Sequence, residues 1–192
     1  MTLIEGTLTI TENAVPIADS QSVTTDEETA KPITLTGHDP EGNPVTFSIV
    51  TPPAKGSLTG TPPNLIYVPQ LNESGADSFT FQVKDGINNS AAATVSITIN
   101  AVNDAPVATG PVAQTTREDT TLVFSNANGN RLSVADVDAG SHPIRLTLAV
   151  SHGTLTLNPL ATGLNPVSGG GANGTASLAV EGTLTTLDAA LD

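Results

Sequence analysis

The sequence repeats itself once, with a period of about ninety residues. The run "NAVPIA" at 13–18 returns as "NDAPVA" at 103–108, and "DEET" at 26–29 returns as "REDT" at 117–120. Solenoid repeats are roughly 20 to 50 residues long, so this longer period predicts two tandem domains. We place repeat 1 at 13–102 and repeat 2 at 103–192, with 1–12 as an N-terminal strand segment or the remnant of an upstream repeat.

Repeat 1 consists of short stretches with the pattern of β-strands. Apolar and polar residues alternate in "VTFSIV", "SFTFQV" and "ATVSITI", which places every second side chain on one face. With "QSVTT", "PITLTG", "GSLTG" and "NLIYVP" they make seven strands, separated by turn sequences such as "DPEGNP" and "KDG". Seven strands in about ninety residues predict an all-β, immunoglobulin-like sandwich. The disulfide and core Trp of antibody domains are absent, because the chain has neither Cys nor Trp.

The overall composition excludes several classes of protein. The formal net charge is -13 and only six residues are Lys or Arg, whereas nucleic-acid binding needs clustered basic residues. The same charge argues against binding to an anionic membrane surface. No apolar run approaches the ~20 residues of a membrane span, so we expect no direct membrane insertion. The N-terminus also lacks the basic start and apolar centre of a secretory signal.

Repeat 2 departs from repeat 1 toward its end. A Gly-rich run, "PVSGGGANGT" at 166–175, has no counterpart in repeat 1. The following "TTLDAALD" predicts a short helical turn with Thr186 as its N-cap. Counterparts of "NLIYVP", "SFTFQV" and "ATVSITI" are not found. We therefore expect the second sandwich to be incomplete, with an open edge.

Several motifs, in order along the chain, carry a family resemblance. They are "NDAP" at the joint, "EET" and "EDT", "DPEG" and "DVDAG", "YVP", and "DSFTFQVKDG". With them the chain resembles the cadherin-like, immunoglobulin-like tandem repeats of large bacterial surface adhesins, including repeat-in-toxin-type adhesins. The resemblance covers most of residues 13–192 and implies tandem cadherin-like β-sandwiches that stack end to end.

The resemblance also implies that Ca²⁺ binds where consecutive repeats join. For the joint between the two repeats it implies the ligands Glu27, Glu28, Asn103, Asp104, Asp136 and Asp138. For the N-terminal joint of repeat 1 it implies Asp39, Glu41 and Asp85, and for a downstream joint Glu118 and Asp119. The animal cadherin linker reads Asp-x-Asn-Asp-Asn, and this chain lacks two of those residues. We therefore expect one ion rather than three, with Asn100 as a substitute ligand.

The residues themselves allow two interpretations. Ca²⁺ takes six to eight oxygen ligands, which Asp, Glu and Asn side chains in turns at a domain end can supply. A bound ion would turn mutually repelling carboxylates into shared ligands and stiffen the joint. The alternative is that "DPEG" and "KDG" are only turns, and that "EET" and "EDT" are only solvated acids.

Catalytic patterns are absent from the sequence. His38, His142 and His152 lack metal-ligand spacing, and no Gly-x-Ser-x-Gly or phosphate-binding loop occurs. We expect a non-enzymatic protein. A glycan-binding module is one rival, but it usually needs exposed aromatic side chains, and Tyr67 and the Phe residues fall at buried strand positions. A passive spacer that binds no metal is the other rival.

Taken together, the sequence predicts a calcium-binding structural repeat of a bacterial cell-surface adhesin, stiffened at its joint. We expect an extracellular or cell-surface location. The expected partners are neighbouring repeats of a longer chain and another adhesin molecule or a surface glycan.

Overall fold

The computed structural model describes residues 12–158, 162–167, 171 and 173–192. The chain separates into two compact units, unit 1 at Met1–Val102 and unit 2 at Asn103–Asp192. The segment predicted at 1–12 lies outside the described residues except for Glu12, and the Gly-rich run at 166–175 is described only in part. No helix in the described ranges has both the length and the apolar character needed to cross a membrane.

The described residues of unit 1 form nine strands. They are β1 (Ile17–Ala18), β2 (Gln21–Asp26), β3 (Lys31–Thr34), β4 (Gly37–His38), β5 (Thr46–Thr51), β6 (Gly56–Thr61), β7 (Asn64–Pro69), β8 (Gly75–Lys84) and β9 (Ala93–Asn100). All seven predicted strands are present. The two-residue strands β1 and β4, which pair with each other, are additional.

Two sheets of unit 1 form the sandwich. One sheet has the order β2-β9-β8-β5 and the other the order β3-β7-β6. The pairing of β2 with β9 is parallel, and the remaining pairs in these sheets are antiparallel. The immunoglobulin-like β-sandwich predicted for this repeat is confirmed.

The core of unit 1 lies between these sheets. Alternate residues of β7, β8 and β9 point inward, as the period-two pattern predicts. The fully buried side chains include Tyr67, Phe79, Phe81, Val83, Val95, Ile97 and Ile99. Burying one such large apolar side chain contributes about 1.5–3 kcal/mol, so this cluster provides the main driving force for folding.

Gly56 is required where β6 passes the ring of Tyr67. A Cβ atom placed on Gly56 would lie 2.4 Å from the tyrosine ring carbon Cε2. Because real Cβ atoms do not come this close, any larger residue would displace the buried ring.

Unit 2 is a smaller β structure over the described residues. Its strands are β10 (Val107–Thr109), β11 (Ser133–Ala135), β12 (Ile144–Ala149), β13 (Asn165–Pro166) and β14 (Ser177–Gly182), followed by helix α1 (Leu184–Ala190). Strand β10 pairs with β11, and β14 lies between β12 and β13. Its core includes buried Leu157, Leu178, Ala190 and Leu191. The side chains on the inner face of β12 are only half-buried, unlike those of β8.

The helix begins earlier than the sequence predicts. Its N-cap is Thr183, whose side-chain oxygen accepts a hydrogen bond from the backbone N–H of Thr186. The assignment of Thr186 as N-cap is therefore wrong. Several threonines stand close together in this run, and only the end of β14 at Gly182 decides which of them precedes the first helical turn.

Candidate functional site

The loop after β4 is built around Asp39. Its carboxylate oxygen Oδ1 accepts hydrogen bonds from the backbone N–H groups of Glu41 at 3.0 Å and Asn43 at 3.1 Å. The side chain thereby closes the turn of "DPEGN", which also needs the positive φ of Gly42 (82°). Asp39 is only 6% exposed, and its second oxygen, Oδ2, is buried without a hydrogen-bond partner. A buried, unsatisfied carboxylate oxygen is costly unless something else binds it.

Glu41 and Asp85 both contact the start of repeat 1. Oε2 of Glu41 accepts a hydrogen bond from the backbone N–H of Ala14 at 2.9 Å. Oδ2 of Asp85 accepts one from the side-chain amide of Asn13 at 2.7 Å. Asp39 is linked to Asn13 through the side-chain amide of Asn43, so all three acids predicted for the N-terminal joint are connected to residues 13 and 14. We call this group, Asn13, Asp39, Glu41, Asn43 and Asp85, the N-terminal end cluster.

Asp85 is held in its charged form. The backbone N–H of Asn88 does most to lower the pKa of Asp85 below its ordinary value. The N–H of Ile87 and the amide of Asn13 lower it further and outweigh the opposing effect of partial burial. The carboxylate is therefore ionised at neutral pH, as a cation ligand must be.

The opposite end of unit 1 carries Glu27 and Glu28. Glu27 is 6% exposed, and its Oε1 accepts a hydrogen bond from the backbone N–H of Val102 at 2.6 Å. Its own N–H donates to the carbonyl of Asn100, whose side-chain amide donates to Asp26. Glu27 therefore fastens the last residues of unit 1 to the end of β2. Glu28 is exposed and has a positive φ of 60°.

The loop of Asp39 and Glu41 in unit 1 has a counterpart in unit 2. Oδ1 of Asp136 accepts hydrogen bonds from the N–H groups of Asp138 and Ala139, and Oδ2 of Asp138 accepts one from the N–H of Asp104. Asp136 and Asp138 thus correspond to Asp39 and Glu41, and the N–H of Asp104 to that of Ala14.

The "EET" turn returns in the same way. Asp119, with a φ of 56°, corresponds to Glu28. A backbone hydrogen bond closes each turn, from Thr29 to Asp26 in unit 1 and from Thr120 to Arg117 in unit 2.

Carboxylates alone do not form a metal-coordination site among the described residues of either unit. Within the part of the chain that the structure describes, no group of three or more His, Cys, Asp or Glu side chains is arranged to hold a metal ion. A Ca²⁺ ion would need amide and backbone oxygens as well, which is ordinary for this cation. The six-residue set predicted for the joint takes ligands from both units and stays a prediction.

The sequence analysis missed the contribution of asparagine. Asn13 and Asn43 make hydrogen bonds to two of the acids of the N-terminal end cluster, yet neither was a predicted ligand. The signal for Asn13 was available, because it occupies the position in repeat 1 that Asn103 occupies in repeat 2. Asn43 had no such counterpart.

The aromatic side chains differ in burial, and Phe47 and Phe124 are only half-buried, contrary to the expectation that all the Phe residues are buried. Tyr67 is fully buried, as are Phe79 and Phe81. Because Tyr67 is buried, its ring is not available for stacking against a sugar.

Comparison with known proteins finds one family model that resembles repeat 1. Residues 13–98 match the model of the bacterial Ig domain. The match covers less than half of the chain, so it describes repeat 1, which is an immunoglobulin-like repeat as predicted. No curated protein matches the chain.

Solved structures with a similar outline include cadherins. The chain is 14% identical to protocadherin gamma B2 extracellular cadherin domains 3–6, at a TM-score of 0.45, covering 92% of this chain and 39% of that one. It is 17% identical to human CDH23 EC21–23, at a TM-score of 0.45, covering 90% and 54%. An endo-fucoidan hydrolase of glycoside hydrolase family 107 is 18% identical, at a TM-score of 0.40, covering 95% and 26%. The chain thus spans between about a quarter and about half of these three proteins.

Proposed function

We propose that this chain is a calcium-binding structural repeat of a bacterial cell-surface adhesin. Each repeat would hold Ca²⁺ at its ends, and the ions would stiffen a row of repeats that carries an adhesive domain away from the cell. An extracellular location follows from the same proposal, and the match of residues 13–98 to the bacterial Ig domain supports it. Neighbouring repeats would be the main partners, and the adhesive partner would be another adhesin molecule or a surface glycan.

The observation that carries the proposal is the environment of Asp39. Its oxygen Oδ2 is buried and has no hydrogen-bond partner, while Oδ1 already accepts several hydrogen bonds. The other members of the N-terminal end cluster, Glu41, Asp85 and the two asparagines, carry side-chain oxygens, and oxygen is what a hard cation prefers. The residues present therefore fit Ca²⁺. When bound, the ion would supply positive charge and connect the carboxylates.

The acidic composition supports the same function. A chain with a net charge of -13 repels itself, and clustered carboxylates at a repeat end add to this repulsion. Cations at these ends would relieve it. Extracellular calcium modules bind with Kd values of about 10⁻⁴ to 10⁻³ M, so a site with few carboxylates is sufficient where calcium is plentiful.

Thermal unfolding with and without calcium tests the proposal. At 10 mM CaCl₂ a site with such a Kd adds about 1–3 kcal/mol to the free energy of unfolding, compared with excess EGTA. MgCl₂ at the same concentration controls for ionic strength. Asp39→Asn should remove most of this gain from unit 1, and Asp136→Asn from unit 2.

Asp19→Asn is the matched control, because it removes the same charge from a residue outside every predicted ligand set. It should leave the calcium response intact. An unfolding midpoint unchanged by calcium in the parent chain would contradict the proposal and favour the passive spacer. So would an equal calcium response in the parent and in the Asp39→Asn, Asp136→Asn double variant.

A further inference from the structure

The acids of the N-terminal end cluster are connected by asparagine amides. The amide Nδ2 of Asn13 donates to Oδ2 of Asp85 at 2.7 Å. The amide Nδ2 of Asn43 donates to Oδ1 of Asp39 at 3.0 Å and to Oδ1 of Asn13 at 3.3 Å. A continuous chain of hydrogen bonds therefore runs from Asp39 through both amides to Asp85.

Backbone groups complete the cluster. The N–H of Ala14 donates to Glu41, and the N–H groups of Ile87 and Asn88 donate to Oδ1 of Asp85, each at 2.7 Å. The side chain of Asn88 donates to the carbonyl of Asn13 at 3.3 Å, which holds Asn13 in place. Oδ2 of Asp39 accepts no hydrogen bond from the cluster, although the residue is only 6% exposed. This oxygen is therefore free to bind a ligand.

We propose that Asn13 and Asn43 form an amide clamp that stands in for a cation. In the ion-free state their N–H groups donate hydrogen bonds to Asp85 and Asp39 and keep the N-terminal end of repeat 1 closed. When a divalent cation binds, each amide turns over and presents its oxygen. This second half rests on the proposed calcium function, whereas the first half does not.

The physical basis is the two-sided nature of an amide. Its N–H₂ group donates to a carboxylate, and a half-turn about the last side-chain bond puts its oxygen in the same place. A carboxylate at position 13 could only accept, so it would repel the other acids without an ion and bind the ion more strongly. The amide therefore lowers calcium affinity and raises ion-free stability.

Unit 2 provides a comparison within the same chain. There Asn103 donates to the carbonyl of its neighbour Asp104, and Gly140 occupies the position that Asn43 has in the first loop. The loop of Asp136 and Asp138 therefore lacks the second amide. The clamp belongs to unit 1, and we expect the corresponding end of unit 2 to depend more on the ion.

The test measures local stability and calcium affinity separately in the full chain. Hydrogen exchange of the backbone N–H groups of Ala14, Ile87 and Asn88, in EGTA, reports whether the end is closed. Calorimetric titration with CaCl₂ reports affinity. The variants are Asn13→Asp, Asn13→Ala and Asn43→Ala. Asn64→Asp is the control, because it adds the same charge at an exposed position whose oxygen accepts from Thr34.

All three clamp variants should exchange these N–H groups at least tenfold faster than the parent in EGTA, and Asn64→Asp should not. Asn13→Asp should also bind calcium roughly tenfold more tightly, because ligand charge tunes the affinity of such sites. Asn13→Ala should not bind calcium more tightly than the parent. Unchanged exchange in Asn13→Ala and Asn43→Ala would overturn the clamp. Equal calcium affinity in the parent and Asn13→Asp would overturn the turning of the amide. Faster exchange in all three variants with no calcium binding in any protein would uphold the ion-free half of the clamp, and it would contradict the proposed function together with the turning of the amide.

Discussion

The phenolic hydroxyl of Tyr67 on β7 donates a 2.7 Å hydrogen bond to Oδ2 of Asp77 on β8. The two strands belong to different sheets of unit 1, so this bond ties the sheets together at one edge of the core. The same carboxylate accepts hydrogen bonds from the backbone N–H groups of Ala54 and Lys55 just before β6. The carboxylate of Asp77 therefore holds both the ring of the core tyrosine and the turn that precedes β6.

Removing this acid should cost more than removing the hydroxyl. Tyr67→Phe loses one hydrogen bond to a charged group and should lower the free energy of unfolding by about 1.5–3 kcal/mol. Asp77→Ala leaves the buried hydroxyl and several backbone N–H groups unsatisfied, so its cost should be larger. Urea unfolding at pH 7 measures both changes. A Tyr67→Phe variant as stable as the parent would show that the hydrogen bond contributes nothing net.

The pH dependence of unit 1 should report on Asp77. Partial burial raises the pKa of Asp77. The hydrogen bonds from the Tyr67 hydroxyl and from backbone N–H groups lower it by a larger amount, so the pKa lies below its ordinary value of 3.8. Because the folded pKa is depressed, the stabilisation is present above pH 3.8 and is lost as the pH falls through the folded value. Asp77→Asn should therefore flatten the decline in stability between about pH 5 and pH 2. Acid titrations followed by circular dichroism would measure this decline. If stability fell equally steeply with pH in Asp77→Asn and in the parent, the decline would not come from Asp77.

The predicted core can be tested with two isoleucines. Ile97 is 1% exposed in the centre of β9, whereas Ile87 is 75% exposed in the turn after β8. Ile97→Ala should destabilise the chain by about 2–5 kcal/mol, because it leaves a cavity. Ile87→Ala removes the same atoms and should change stability by no more than about 0.5 kcal/mol. Denaturant midpoints would distinguish them, and equal costs would contradict the placement of the core.

The helix of unit 2 allows a similar comparison between threonines. Thr183→Ala removes the N-cap and should cost about 0.5–2 kcal/mol. Thr185→Ala changes an exposed position in the first turn, where Ala has the higher helix propensity, so stability should be unchanged or slightly raised. Thermal unfolding of the two variants would separate the roles, and a larger loss in Thr185→Ala would contradict the cap.

Much of repeat 1 could be predicted because local pattern and tertiary fold agree. Alternation along "SFTFQV" and "ATVSITI" already divides inward from outward side chains, and the "DPEGN" and "KDG" turns separate the strands. The predicted helix cap failed because Thr183, Thr185 and Thr186 are chemically equivalent along the chain. Their roles depend on where β14 ends, which no local pattern encodes.

Residue pattern alone predicts that the chain is all-β, that it repeats near ninety residues, and that acids gather in the turns. These follow from residue type and spacing, which act over a few neighbours. Three further features exist only in the folded chain: the burial of Asp39 with one oxygen unsatisfied, the hydrogen bond from Asn13 to Asp85, and the hydrogen bond from Val102 to Glu27. The last two contacts join residues more than seventy positions apart, and the burial of Asp39 likewise depends on packing. They therefore exist only once the sheets have packed and brought distant turns to the same end.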